Sequence, residues 1–262
     1  MTTWLRVFFI GGVIAYRGLF NWIRPAYYIP TMLFGPIFQI LFFAYLGRYS
    51  HAGNDAFFVV GNGVQVAAMG GVFGMSLTIA GERWTQTLAP LLATPAARGA
   101  TFLGRALPNI LNGLLVSLTA FVAGRLLLDF HPSLSSVPTL ALVVLVSTVS
   151  CTAFGLACGA LGLRLRDAFL VANPAYFLML LLCGVNVPLH ALPGWMAAIG
   201  RALPLTHGIE AARKVAAGAD LGAVDALLWK EIAIGAAWAA AAYLMLRLFE
   251  AESHRTAALD RM

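Results

Sequence analysis

Glu82–Arg98 reads ERWTQTLAPLLATPAAR, a charged and proline-punctuated island set between two apolar runs of membrane length. The run before it, 56–80, holds no charged residue, and a long apolar stretch resumes at Ala106. A chain that leaves one such run and enters the next must turn in water, so the island marks a connection at one membrane face and its neighbours mark spans. The composition around it agrees. Hydrophobic residues make up 60% of the 262 positions and charged residues only 11%, against about 25% charged in ordinary soluble domains.

Six stretches reach the length of about 20 apolar residues that a helix needs to cross a bilayer: 29–47, 56–80, 106–124, 137–163, 168–189 and 226–246. They predict an all-α integral membrane protein with a single domain over residues 1–262. The first five carry no charge, and the sixth has Lys230 and Glu231 near its start, where both are expected at the interface rather than at midplane.

The formal charge of +6 is a topology signal. With the island placed on one side, that side collects eleven basic and five acidic residues, including Arg6, Arg17, Arg24, Arg83, Arg98, Arg105, Arg164 and Arg166. The other side has six of each, so the whole excess is one-sided. The positive-inside rule then puts both termini and the island in the cytoplasm. A charge spent on topology gives no support for a nucleic-acid partner.

Ahead of the first span, residues 3–24 are apolar but too short and too charged to cross. At 100° per residue Arg6, Arg17 and Arg24 fall within about 20° of one another, a basic stripe on a greasy helix suited to the headgroup boundary. Pro25 and Pro30 then turn the chain into the membrane. Arg6 is followed by an apolar stretch without a small-x-small cleavage site before Arg17, so a cleaved signal peptide is not expected. The long outer connection, 190–225, is too apolar for a simple loop. Leu192, Trp195, Ile199, Leu203, Ile209 and Val215 are spaced for short half-buried helices broken at Pro193, Gly194, Pro204 and Gly208, which predicts re-entrant helices shielded by protein.

Catalytic chemistry is missing. The two lysines, Lys214 and Lys230, lack an upstream GxxxxG, so there is no Walker A phosphate loop. The first five spans contain no carboxylate relay of the kind a proton-coupled carrier uses. The five histidines are scattered singly, with no HExxH, no GxSxG and no paired carboxylates at helical spacing. Cys151, Cys158 and Cys183 lie inside apolar runs without a CxxC and read as packing residues, and no metal site is expected.

The polar side chains within spans include Gln39, Asn62, Gln65, Asn109, Asn112, Asn173 and Asn186. Small neighbours such as Gly61, Gly63, Gly70, Gly71 and Gly74 favour close helix packing, with the amides as interhelical bonds. Asn62, Gln65 and Met69 on the second span, with Asn173, Phe177 and Met179 on the fifth, are alternatively a lining for an amphipathic solute, since Met and aromatic surfaces adapt to varied apolar ligands.

Two stretches resemble the permeases of six-helix ABC exporters, the type-two (ABCG-like) ABC transporter permease family. One is Glu82-Arg83, Thr87-Leu88 and Leu91-Leu92-Ala93-Thr94-Pro95. The other is Leu192-Pro193-Gly194-Trp195 followed by Leu203-Pro204-Leu205-Thr206-His207-Gly208-Ile209-Glu210 and Arg213. The resemblance implies that 82–98 is a coupling helix engaging a separate ABC ATPase through Glu82, Arg83, Thr87, Leu88, Leu91, Leu92, Thr94 and Pro95. It implies an external gate at Pro193, Trp195, Pro204 and Glu210, and a second permease copy or paralogue that completes the path. No cofactor is expected in this chain, with ATP and Mg bound by the partner ATPase. Gln86 and Ala89-Pro90 depart from the family's usual Gly before and Glu after the Thr-Leu pair, which points to a shorter coupling helix or one that starts at Pro90. The implied function is export of a hydrophobic or amphipathic small molecule such as a drug or antibiotic across a bacterial plasma membrane. A lipid or lipid-linked glycan is the alternative cargo, and a secondary carrier or an intramembrane enzyme are the rival classes.

Overall fold

The computed structural model describes residues 6, 8–15, 29–51, 53–84, 98–128, 130–165, 167 and 169–256. Among them every regular element is a helix. A π-helical turn, Ile29–Phe34, leads into α1, Gly35–Ser50, with Pro36 in its first turn. Then follow α2, Asp55–Trp84, α3, Arg98–Leu127, α4, Val137–Leu165, and α5, Phe169–Leu182. Two short helices, α6 at Gly194–Ala202 and α7 at Thr206–Ala216, precede the long α8, Leu221–Thr256.

Among the described residues four stretches are long and apolar enough to cross a membrane, Asp55–Thr78, Gly104–Leu127, Leu134–Gly162 and Leu221–Phe249; the expected first and fifth spans, 29–47 and 168–189, are not among them, and α1 has 16 residues. Hence the protein is a multi-pass, all-helical membrane protein. The helix in the fifth expected span is shorter than 168–189. It stops at Leu182, and 183–188 is irregular, with Gly184 at φ 77°. Gly184, Asn186 and Pro188 in succession give the helix no means to continue. Residues 8–15 are helical within the expected interfacial helix 3–24; Arg17 and Arg24 lie outside the described residues.

The centre is α2. In its apolar window 72% of residues are buried, against 11% for α8, because α2 is enclosed by neighbours while α8 is a flank. Glycine makes the enclosure possible. A Cβ on Gly70 would lie 3.1 Å from the Cα of Gly113 on α3, and one on Gly71 would lie 2.9 Å from the Thr152 backbone nitrogen on α4. With lipid as the alternative solvent, such van der Waals approach and a few hydroxyl bonds hold helices together. Ser117 donates to the Gly63 carbonyl (2.7 Å) and Ser76 to the Gly155 carbonyl (3.1 Å), tying α2 to α3 and to α4. On the flank, α8 meets α4 where Gly235 faces Ser150 and where Trp238 meets Phe154 edge-on at 4.6 Å.

Helices α1 and α2 form a hairpin closed by a bidentate ion pair of Arg48 with Asp55. His51 in the left-handed region ends α1, and the Asn54 side chain accepts from the Phe57 amide (3.0 Å) at the start of α2. Helices α6 and α7 form a V at this same end of the bundle. The pairing of α7 with α8 across 217–220 places the first residues of α7 about ten residues, or about 15 Å, along α8. Trp238, deeper still, donates to the Ala202 carbonyl at the foot of α6 (3.1 Å). The V therefore packs alongside the first half of α8.

Gly155→Ala should lower the thermal midpoint in detergent, because its new methyl meets the α2 backbone at Gly71 and Val72; overpacking of this kind costs about 1–3 kcal/mol. Gly222→Ala has open space around it and should leave the midpoint in place. Equal behaviour of the two variants would contradict the glycine-limited packing of α2.

Candidate functional site

Two constellations stand out at the seams between helices. The first is uncharged. Gln39 on α1 donates through Nε2 to Asn62 Oδ1 on α2 (2.9 Å), and Asn62 Nδ2 donates to Asn186 Oδ1 in the 183–188 segment (2.8 Å) and to the Phe58 carbonyl (2.9 Å). The Tyr176 hydroxyl on α5 donates to Gln39 Oε1 (3.3 Å), and the Tyr176 ring packs on Phe73 of α2 with centroids 5.4 Å apart. Asn62 and Gln65 are fully buried, whereas Gln39, Tyr176 and Asn186 are half-exposed. The network is thus sealed behind by α2 and reaches the surface where α1 and α5 meet. Among the described residues no hydrogen bond of good geometry reaches the polar atoms of Gln65 or Asn186 Nδ2, although Tyr176 lies close to Gln65.

The expected path residues divide by position. Met69, Asn173 and Phe177 are exposed, with Phe177 at 62%. Asn62, Gln65 and Met179 are enclosed in the protomer, the two amides in or beside the network and Met179 in the core of the bundle. They do not share one open wall. On α5 the exposed residues 169, 170, 173, 174, 177 and 178 recur at helical spacing, while Ala172, Met179 and Leu182 face inward.

The second constellation fixes α7. Its N-cap position is Leu205, at φ 93° and without a side-chain cap of its own. Backbone held in this region by a residue other than glycine costs about 1–3 kcal/mol. A carboxylate from another helix supplies the cap: Glu231 on α8 accepts from the Leu205 amide through Oε1 (2.6 Å) and from the Gly208 amide through Oε2 (3.1 Å). Glu231 is fully buried in the protein, where the turn between α6 and α7 brings backbone N–H groups to meet it. Negative charge is favoured at a helix N-terminus, and these amides would otherwise be unpaired. Toward the other end of α7, Arg213 donates to the carbonyls of Phe57 (3.3 Å) and Val185 (2.9 Å), and its guanidinium lies 3.6 Å from the Phe57 ring centroid.

Of the expected gate residues, Pro204 is buried at the turn of the V, where its carbonyl faces Cys183 Sγ at 3.5 Å. Pro193 and Trp195 are exposed at the entry to α6, and Glu210 is exposed and paired with Lys214 at 3.1 Å. In the island, Glu82 and Arg83 belong to the last turn of α2; Thr87, Leu88, Leu91, Leu92, Thr94 and Pro95 lie outside the described residues. Among the described residues no group of three or more His, Cys, Asp or Glu side chains converges as a metal site. Glu231 was assigned no role from sequence; a lone acidic residue five positions into an apolar run, after a Leu-Pro-Leu-Thr turn, was the available signal.

The described residues thus form a helical bundle centred on α2, with the V of α6 and α7 packed against α8. Residues 12–216 match the ABC-2 type transporter family, and the chain belongs to it, as a membrane-spanning ABC transporter permease. It is 25% identical over 183 residues to the probable multidrug ABC transporter permease YbhR of Escherichia coli strain K12, and equally to that of Escherichia coli O157:H7. Those residues are 70% of this chain and 50% of each relative, so the chain spans about half the length of the curated relatives it matches.

Asn62→Leu should lower stability by about 0.5–2 kcal/mol, the range of interhelical polar bonds in membrane proteins, since it strands Gln39 and Asn186. Phe177→Ala removes an exposed ring and should change stability by less than about 0.5 kcal/mol. Thermal unfolding of the two purified variants reads the difference. A Phe177→Ala loss as large as that of Asn62→Leu would place Phe177 in the packing of the protomer.

Proposed function

We propose that the chain is the permease subunit of an ATP-driven exporter in a bacterial plasma membrane, moving a hydrophobic or amphipathic small molecule by alternating access. Family membership implies an ATPase partner; that the ATPase is a separate chain, and that a second permease copy or paralogue completes the path, belong to this reading. Its main support is the uncharged network of Gln39, Asn62, Tyr176 and Asn186 at the seam of α1, α2 and α5. It offers hydrogen bonds without charge beside the exposed Phe177, which suits a solute that is apolar with a few polar groups. The name of the Escherichia coli relative, a probable multidrug permease, points to the same class of cargo.

In this reading the 82–98 segment is cytoplasmic and receives the ATPase, and the α6–α7 V is external. ATP binding draws two ATPases together, displaces the coupling segments and shifts the permease pair toward an outward-open state. α2 runs unbroken for 30 residues from Asp55 to Trp84, so it connects the ATPase end directly to the Phe57 carbonyl that Arg213 holds.

Replacing Leu88 and Leu91 together with Asp should dislodge or uncouple the ATPase while the permease stays folded. Co-purification and substrate-stimulated ATP hydrolysis measure this, and unchanged values would remove the coupling role of 82–98. Orientation is tested separately. A cysteine at Asp220 should react with an impermeant maleimide in intact cells and one at Ala258 should not; the reverse pattern would overturn the assigned topology.

A further inference from the structure

The exporter reading leaves unassigned how the V is held, and Glu231 stands where that is decided. Its side chain bonds to the first turn of α7, and its backbone carbonyl accepts from Ser150 Oγ on α4 (3.0 Å). One residue of the last span therefore joins α4, α7 and α8. The fit is close: a side chain on Gly208 would collide with Ser147 of α4 and come within 3.7 Å of the Glu231 carboxyl carbon. The Thr206 hydroxyl, the nearest local candidate for a cap, instead donates to the Gly200 carbonyl of α6 and closes the V on itself. Arg213 attaches α7 to α2 and to the 183–188 segment. The V is thus bonded to α8 at one end of α7, through Glu231, and to α2 and the 183–188 segment toward the other, through Arg213, with α4 packed on both α2 and α8.

We propose that Glu231 is a positioning residue for transport: its two acceptor oxygens latch the re-entrant V to the last span, and movement of α8 relative to α2 acts on the gate through this latch. The role rests on the exporter reading for its consequence and on the bonds above for its geometry. It requires two acceptors at one place. A glutamine of the same shape keeps one acceptor and turns an NH2 group toward a backbone N–H, while an aspartate keeps both acceptors but falls short by one methylene.

Cys183 is a native reporter of the latch, because it is fully buried beneath the turn at Pro204. In a Cys151→Ala, Cys158→Ala background, with the permease co-expressed with its ATPase in membranes, the rate of Cys183 modification by a small cationic methanethiosulfonate is measured with ATP-driven ethidium export and thermal stability. Glu231→Gln should raise the Cys183 rate by about tenfold, the scale of one lost charge-assisted hydrogen bond, and lower export per folded molecule while basal ATP hydrolysis persists. Glu231→Asp should fall between wild type and Glu231→Gln in both readouts. An unchanged Cys183 rate in folded Glu231→Gln, a loss of stability with normal export per surviving molecule, or an aspartate variant as defective as the glutamine one would each overturn the proposal. If Glu231→Gln does not accumulate, Glu231→Asp against wild type decides alone: a raised Cys183 rate with reduced export supports the latch, and any other result overturns it. Absence of ethidium export in the wild-type complex would count against the exporter reading for this probe, and the Cys183 rates would still judge the latch.

Discussion

The close approach of α2 to α3 and α4 is the constraint on which the remainder rests. In hydrocarbon no hydrophobic force drives one apolar helix onto another, so association depends on contact area and on polar groups satisfied between helices. Gly70 and Gly71 bring the α2 backbone against both neighbours at one level, and Ser76 and Ser117 add a hydroxyl bond to each. Because α2 is enclosed there, its polar residues at Asn62 and Gln65 are enclosed as well. Asn62 is satisfied there by Gln39 and Asn186, and Tyr176 joins the network through Gln39.

The network and the V of α6 and α7 meet in the 183–188 segment. Cys183 contacts the turn of the V, the Val185 carbonyl accepts from Arg213 on α7, and Asn186 accepts from Asn62. The segment can lie against α2 because Gly61 has no side chain there; a Cβ would meet the Val185 carbonyl and the Arg213 guanidinium. A shift of α7 is therefore felt directly by residues that carry the uncharged network. Physical contiguity of this kind permits coupling between the V and the network, and a two-state element biased from both sides is what coupling requires. The V, bonded at one end to Glu231 and at the other to α2, is placed to be that element.

Much of the fold was legible because the bilayer imposes a length. The uncharged runs 56–80, 106–124 and 137–163 could only be helices if they span, and α2, α3 and α4 cover them. The two short helices within 190–225 were legible from the Pro and Gly breaks there. The end of α5 was less so: hydropathy stays high through Val185 and Val187, while backbone conformation changes at Gly184, and a hydropathy reading has no sensitivity to φ. At the candidate site, the amides of the spans were visible as a set, but which face of α2 is sealed and which face of α5 is exposed depends on packing partners distant in sequence. The burial of Glu231 was not legible for the same reason: its partners, Leu205 and Gly208, lie 26 and 23 residues away in sequence.

Glu231 also sharpens the choice between transport mechanisms, since a buried carboxylate in a span is what an ion-coupled carrier would use. Here both its oxygens are occupied by backbone amides of α7, and the account assigns the driving force to ATP. Reconstitution tests this most directly: the permease is placed in liposomes with and without its ATPase, and uptake of ethidium into inside-out vesicles is followed under ATP or under a proton gradient. The account predicts uptake only when ATPase and ATP are both present, with no effect of the gradient on the permease alone. Gradient-driven uptake by the permease without its ATPase would contradict it.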